Sequence, residues 1–370
     1  MRVLHIISDL STAGAQTVVM NYLKSWIDSK EIHAAVLPVV RDQNFQNEVN
    51  ASKLGIKVLS CNYIERTSNS ILRPVINWIN LQKAIYAAIK EFQPDIIHTH
   101  VTPILQYVLL PCLISGVKVK VHTLHSDPEA LSKTTIFIGK IAFHLFAYHP
   151  ICVTEEQARK ACKYYSLKKY SIVRNGLDFD KYLFECSKNS ARDFFGIPED
   201  AFVFGYVGRL NKIKNIPFLL DVFEHYEKKH PEAMLYLVGN GEEKESIEEI
   251  IRIKRLEKKI VLLGIRSEVE IFYKAIDVFM ITSFHESSSI VTVEAQLSGA
   301  YCVIADTIPS NVIISDQVVR LSLNDDMDKW EKAINREVKT EMNFTDKEEY
   351  SLRYNVEKLE SIYRGALYGK

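Results

Sequence analysis

Arg209 and Lys214 lie five positions apart in GYVGRLNKIKN (205–215), just after a short apolar run. A guanidinium and an ammonium so spaced can converge on one diphosphate and neutralise the charge that grows when a sugar–phosphate bond breaks. An exposed basic loop carries the same residues, so the pair alone leaves both readings open. Farther on, Glu286 and Glu294 stand eight positions apart, with Ser287, Ser288 and Ser289 after the first of them. A carboxylate has two acceptor oxygens and suits vicinal hydroxyls. Glu286, in a loop, would take the hydroxyls of a sugar, and Glu294, one to two turns into a helix, those of a ribose. The serines offer helix-cap side chains, and the amides of Ser288, Ser289, Ile290 and Val291 would meet phosphates. Two glutamates at this spacing are also common as plain solvated residues. Near the start, Ser11, Thr12, Ala13, Gly14, Ala15 and Gln16 form a small-residue turn before a helix. It can admit an anion or a sugar, or it is an ordinary strand-to-helix turn, since it lacks the GxGxxG spacing.

Four histidines, His98, His100, His122 and His125, fall at the ends of two neighbouring strands and raise the question of zinc. Strand alternation puts 98 and 100 on one side but 122 and 125 on opposite sides, and no HxxE pattern completes a site. No metal is expected, and His98 and His122 read as satisfied interior residues. The six cysteines are scattered without a CxxC pair, which argues against a disulfide framework and a zinc site and fits a reducing cytosol.

These groups need strands and helices to hold them. Short apolar runs alternate with longer helical-period segments throughout, the pattern of βαβ units around parallel sheets. Strands are expected at 3–8, 33–39, 57–60, 95–100, 118–124 and 150–153, and again at 202–207, 234–238, 260–263, 278–282 and 302–305. The clearest helix is 72–92, with Ile76, Ile79, Ile85 and Ile89 on its apolar stripe. Another begins after Thr154, which stands three before Gln157 in a capping-box spacing. With 370 residues, 47% of them apolar, two domains are expected: 1–170, with a last helix 354–370 packing back on it, and 171–353. Gly299 ends the helix that carries Glu294.

The chain is formally neutral, with 46 basic and 46 acidic side chains, which gives no whole-chain pull toward nucleic acid. Residues 1–170 nevertheless carry 19 basic and 12 acidic groups. That asymmetry can orient the first half at an anionic surface, although solvated faces also carry such charge. No secretory leader is read at the start, and the most apolar stretch, 103–117, is too short to span a bilayer.

Taken together, RVLHIISDLSTAGAQ, DIIHTH, VHTLHS, RNGLD, GYVGRLNKIKN, LVGNGEE and HESSSIVTVEAQLSGAYCVIADTIP resemble the family 4 glycosyltransferases over nearly the whole chain. Glu286 and Glu294 match that family's two glutamates with seven residues between. The segment VEAQLSGAYCVIADTIPSNV looks most like members that build exopolysaccharide or capsule units. The resemblance implies a GT-B fold, an α/β architecture of two Rossmann-like domains whose parallel sheets face across a cleft. It implies a nucleotide-sugar donor held mainly by the second domain, transfer with retention at the anomeric carbon, and no cofactor or obligatory metal. Position by position, Arg209 and Lys214 would hold the diphosphate, Glu294 the ribose and Glu286 the donor sugar, with Gly14 near the donor phosphate. His125 would stand beside the sugar and the reacting centre.

Two departures bear on the donor. Ser287, Ser288 and Ser289 replace the family's usual glycine, apolar residue and proline, and serine disfavours the positive φ that glycine permits. Ala13 and Gln16 stand where a glycine and an acidic residue are common. The acceptor is expected to be a saccharide, lipid-linked as in similar enzymes. The protein is expected in the cytoplasm, with peripheral contact at the inner face of the plasma membrane through Ile136, Phe137, Ile138, Ile141, Phe143, Leu145 and Phe146 with Lys133 and Lys140; a buried helix of the first domain carries the same residues equally well. A nucleotide-sugar epimerase of the same fold and a catalytically silent sugar-nucleotide-binding partner are the competing functions.

Overall fold

The computed structural model describes residues 1–10, 14–40, 46–61, 73–336 and 342–369. It separates into two compact units, Met1–Leu177 with Glu349–Lys370, and Asp178–Glu348. The division falls after Leu177 rather than after 170, for a hydrogen-bonding reason. Ser171–Ile172 adds an edge strand beside Tyr148–Cys152, and Leu177 is bridged to Ser351. Both segments are thereby tied into the first unit.

The first unit holds a seven-stranded parallel sheet: β1 (Arg2–Ile7), β2 (His33–Pro38), β3 (Lys57–Val58), β4 (Ile96–His100), β5 (Val119–Leu124), β6 (Tyr148–Cys152) and β7 (Ser171–Ile172). Its order is β3-β2-β1-β4-β5-β6-β7, so the winding reverses between β1 and β4. Alternate residues face opposite layers. Leu4 and Ile6 of β1 join Ile85, Ile89 and Val108 in one core, whereas Val3 joins Tyr22, Trp26, Leu359 and Tyr363 in the other. The closing helix Leu352–Tyr368 therefore packs on the first unit, where the Trp26 indole also donates to Glu360 at 2.8 Å.

The second unit repeats the device with β8 (Phe202–Val207), β9 (Ala233–Val238), β10 (Ile260–Gly264), β11 (Val278–Ile281), β12 (Tyr301–Ala305) and β13 (Val318–Leu321). The order β10-β9-β8-β11-β12-β13 places the reversal between β8 and β11. Loops leaving the carboxyl ends of strands at such a reversal diverge and leave a crevice.

Several expectations need correction. β7 and β13 were not foreseen, being only two and four residues long. The long helix runs Arg73–Phe92; Leu72 lies outside the described residues, and Ile76 and Ile79 are exposed while Ile85 and Ile89 are buried. On the helix Lys133–His144 and the turn after it, Phe137 and Leu145 are exposed at 63% and 74%. Phe143 is buried and Ile136, Ile138 and Phe146 pack against the core, because a helical period turns only part of an apolar run outward. Among the described residues, no helix is long and apolar enough to cross a membrane.

Candidate active site

In the second unit the basic loop is built locally. Asn211 caps the one-turn helix Lys212–Lys214 by accepting the Lys214 amide at 3.2 Å. Asn215 then takes a left-handed conformation, φ 51°, from which the helix Ile216–Glu227 departs with Pro217 in its first turn. The neighbouring loop after β11 is laced to this one. The Phe284 amide donates to the Ile213 carbonyl at 2.8 Å and the Thr282 hydroxyl to the Asn215 carbonyl at 3.1 Å. Lys214 Nζ consequently reaches Glu286 Oε1 at 2.5 Å, and the same oxygen accepts the Ser283 hydroxyl at 2.8 Å. Both side chains of this ion pair are largely buried. The adjacency follows from β8 pairing with β11 in register.

Arg209 takes a different partner. Its guanidinium is 66% exposed and pairs with Glu242 at 3.1 Å, so the two cations of the expected clamp are each held by their own carboxylate. The turn that carries Arg209 presses against the VGNG turn after β9. The Gly208 amide donates to the Val238 carbonyl at 3.0 Å, and the Leu210 amide to the Asn240 carbonyl at 3.0 Å. Gly239, at φ 136°, leaves no room for a side chain, since a Cβ there would lie 1.9 Å from the Gly208 carbonyl oxygen.

Glu294 is 7% exposed on the helix Ile290–Leu297. One carboxylate oxygen accepts the Tyr182 hydroxyl at 2.8 Å and the other the Tyr273 hydroxyl at 3.0 Å. Burial pushes this carboxyl above its usual range while the two phenols pull it back, and both tyrosines are themselves pushed up by burial and by the carboxylate. It is therefore no open surface acceptor; each oxygen keeps one remaining acceptor site for an incoming hydroxyl.

At the start of that helix the serines differ from expectation. Ser289 occupies the cap position, yet its hydroxyl caps no amide, because it accepts the Thr292 hydroxyl at 2.9 Å instead. The Ile290 amide donates to the Ser288 carbonyl at 2.9 Å, so of the four amides read as phosphate donors this one already has an acceptor. Ser287, Ser288 and Ser289 are absent from the positive-φ residues. The loop thus follows a path open to any side chain.

In the first unit, residues 11–13 of the small-residue turn lie outside the described residues. Gly14 opens the helix Gly14–Ser25 with open space around a Cβ position, and Gln16 is buried with its amide 3.1 Å from Asp9 Oδ1. The histidines gather on β1, β4 and the end of β5. His5 pairs in register with His98. His5 Nδ1 lies 2.9 Å from His100 Nε2, and His100 Nδ1 lies 3.1 Å from Nε2 of the half-buried His125. His98 meets the Tyr363 hydroxyl at 2.5 Å and the Thr123 hydroxyl at 2.7 Å. His122 turns to the other layer, where it meets the Thr99 hydroxyl at 2.8 Å. Burial lowers all five imidazoles, His5 and His122 to about 3 and His125 to about 4. His5, His98 and His100 are close enough to share a cation. Both nitrogens of His98 and of His100 are engaged by neutral partners, so a cation would have to displace several bonds.

Two parallel-sheet units with basic and acidic loops at the second reversal match known families along most of the chain. The model for Glycosyltransferase Family 4 covers 14–181 and that for Glycosyl transferases group 1 covers 187–358. The chain belongs to the family 4-like glycosyltransferases of GT-B fold. It is 27% identical over 351 residues to EpsF of Bacillus subtilis, named as a glycosyltransferase, with 90% of this chain and 87% of that protein covered. It is 25% identical over 252 residues to the Escherichia coli UDP-Gal:alpha-D-GlcNAc-diphosphoundecaprenol alpha-1,3-galactosyltransferase, with 63% of each covered. Among solved structures, Anabaena HepE in complex with UDP-glucose aligns with a TM-score of 0.76 at 20% identity, covering 98% of this chain and 95% of that one.

For this glycosyltransferase the structure brings Lys214 and Glu286 together, sets Ser288, Ser289 and Ile290 at the adjoining helix start, and leaves Arg209 with Glu242. Gly14 and His125 belong to the other unit. Sequence reasoning missed His5, Ser283, Tyr182 and Tyr273. His5 carried a signal, a polar residue between Val3 and Ile7 on one face of RVLHII, whereas the two tyrosines stand 112 and 21 positions from Glu294 and carried none.

Proposed function

We propose that this glycosyltransferase retains configuration, moving a sugar from a UDP- or GDP-sugar to a saccharide acceptor, lipid-linked, in exopolysaccharide, capsule or related glycan synthesis. The observation that carries the reading is the buried Lys214–Glu286 pair beside the start of the helix Ile290–Leu297. It sets an ammonium, a carboxylate and a helix dipole together where a sugar diphosphate needs all three. UDP is favoured as the nucleotide, since the HepE structure holds UDP-glucose and the Escherichia coli relative is named for UDP-galactose. That relative's name also supports a diphospholipid-linked acceptor.

In this scheme the donor's anomeric carbon loses its bond to the diphosphate oxygen. The acceptor oxygen bonds to that carbon on the same face, and its proton passes to the departing diphosphate. Lys214, Arg209 and the helix start stabilise the leaving charge, without an obligatory metal or cofactor. Lys214 must exchange part of its bond to Glu286 for phosphate, which frees Glu286 for the sugar hydroxyls. The family resemblance assigns Glu294 to the ribose, Gly14 to the donor phosphate and His125 to the donor sugar. The enzyme works at the cytoplasmic face of the membrane, with exposed Phe137 and Leu145 and the nearby Lys133 and Lys140 touching lipid.

Incubation with a panel of UDP- and GDP-sugars and a lipid-diphosphate saccharide, reading free nucleoside diphosphate and extended product, tests this. Transfer supports the reading. Inversion at C2 of the donor sugar would make the protein an epimerase, and binding without turnover a silent partner.

A further inference from the structure

Two buried imidazoles stand behind the one assigned to the sugar. His5 and His100 are fully buried, on adjacent parallel strands, with their rings stacked at 5.2 Å. The contacts run in one line: His5 Nδ1 to His100 Nε2 at 2.9 Å, then His100 Nδ1 to His125 Nε2 at 3.1 Å. Beyond this line, His5 Nε2 is buried with no hydrogen-bond partner among the described residues.

A neutral imidazole has one N–H and one bare nitrogen. Three in series must therefore point the same way, and only two directions exist. If His125 donates inward, the line ends in an N–H on His5 Nε2, buried and unpaired. If His5 donates outward, the line ends in a bare nitrogen at that position. Among backbone groups a buried unpaired N–H is rarer than an under-satisfied acceptor, and the same preference applied to the imidazole selects the outward direction. Burial keeps all three rings neutral at ordinary pH, as the lowering of His5 and His125 to about 3 and about 4 indicates.

We propose that His5 and His100 are positioning residues that lock His125 in the tautomer with its proton on Nδ1, making it a hydrogen-bond donor to the sugar and denying it the role of general base at that nitrogen. The consequence for the reaction rests on the assignment of His125 to the donor sugar, as proposed above. There the fixed N–H donates to a sugar hydroxyl. The acceptor proton must then go to the leaving diphosphate oxygen, in keeping with the same-face scheme.

The test is a long-range nitrogen–proton NMR spectrum of the full chain with nitrogen-15 histidine, assigned through single histidine variants. The expected result is a protonated Nδ1 and a bare Nε2 on His5, His100 and His125 alike, against the preference of free histidine for a proton on Nε2. A proton on His125 Nε2, or averaging between its two nitrogens, overturns the proposal. This readout needs no turnover. Transfer activity with the wrong tautomer refutes the imidazole line alone, and the right tautomer without transfer refutes the assigned function alone. His100→Leu cuts the line: His125 should shift toward Nε2–H, and kcat should fall about tenfold with donor KM little changed. An unchanged His125 spectrum and unchanged kcat in a folded His100→Leu protein would also overturn it.

Discussion

Lys214 Nζ lies 2.5 Å from Glu286 Oε1, so the ammonium assigned to the diphosphate and the carboxylate assigned to the sugar neutralise each other. The pair is buried enough that removing one member leaves the other poorly solvated. It ties two loops together through residues 72 positions apart in sequence. Donor binding must divide it between the two ends of one substrate.

Lys214→Ala and Arg209→Ala should each slow transfer by about one to three orders of magnitude, the range for losing one electrostatic stabiliser of the leaving group. Steady-state kinetics with saturating acceptor checks this. Lys214→Ala should also lower the unfolding midpoint, because Glu286 loses its partner, whereas the exposed Arg209 should not affect it. Unchanged turnover in either variant removes that residue from the clamp.

Glu294→Ala should weaken nucleotide affinity and destabilise the second unit as well. It strips the acceptor from two buried tyrosine hydroxyls, at about 1–3 kcal/mol for each unsatisfied group. Urea unfolding of Glu294→Ala, Tyr182→Phe and the double variant measures the coupling. Strict additivity would mean that the Tyr182 bond contributes nothing.

Acid should loosen the first unit well above the pH at which carboxylates titrate. His5, His98, His100 and His122 are wholly buried and held below the 6.5 of free histidine, so between about pH 6.5 and 4 the unfolded chain binds protons that the folded chain refuses. Stability should therefore fall as pH falls, by about 1.4 kcal/mol per pH unit for each such histidine. Glu294, pushed upward, acts in the opposite sense, but it belongs to the second unit and does not offset the four histidines of the first. Equal urea midpoints at pH 7 and pH 5 would contradict this.

Much of the fold was legible because apolar runs and helical periods report local structure directly, and the strands of both sheets fall close to the expected segments. Two short edge strands escaped: Ser171–Ile172 is too brief to show a period, and Val318–Leu321 is only partly buried. The glutamates could be read from their spacing on one helix and loop. The Lys214–Glu286 contact could not, since it depends on β8 lying beside β11. His5 was overlooked because one histidine in an apolar run looks like a lone interruption. Only the parallel register of β1 on β4 sets it beside His98.

Membrane contact through the first unit should depend on charge as well as on Phe137 and Leu145. Flotation with vesicles containing anionic lipid should recover the protein at low salt and lose it near 0.5 M salt, as screening shortens the reach of Lys133 and Lys140. Flotation insensitive to both lipid charge and salt would rule out this mode of binding.

Transfer with retention is read in the anomeric configuration of the product. An α-configured UDP-sugar that is turned over should give an α-linked product in the proton NMR spectrum, with no sugar trapped on a side chain. A β-linked product would contradict the same-face scheme built on Lys214, Arg209 and the helix Ile290–Leu297.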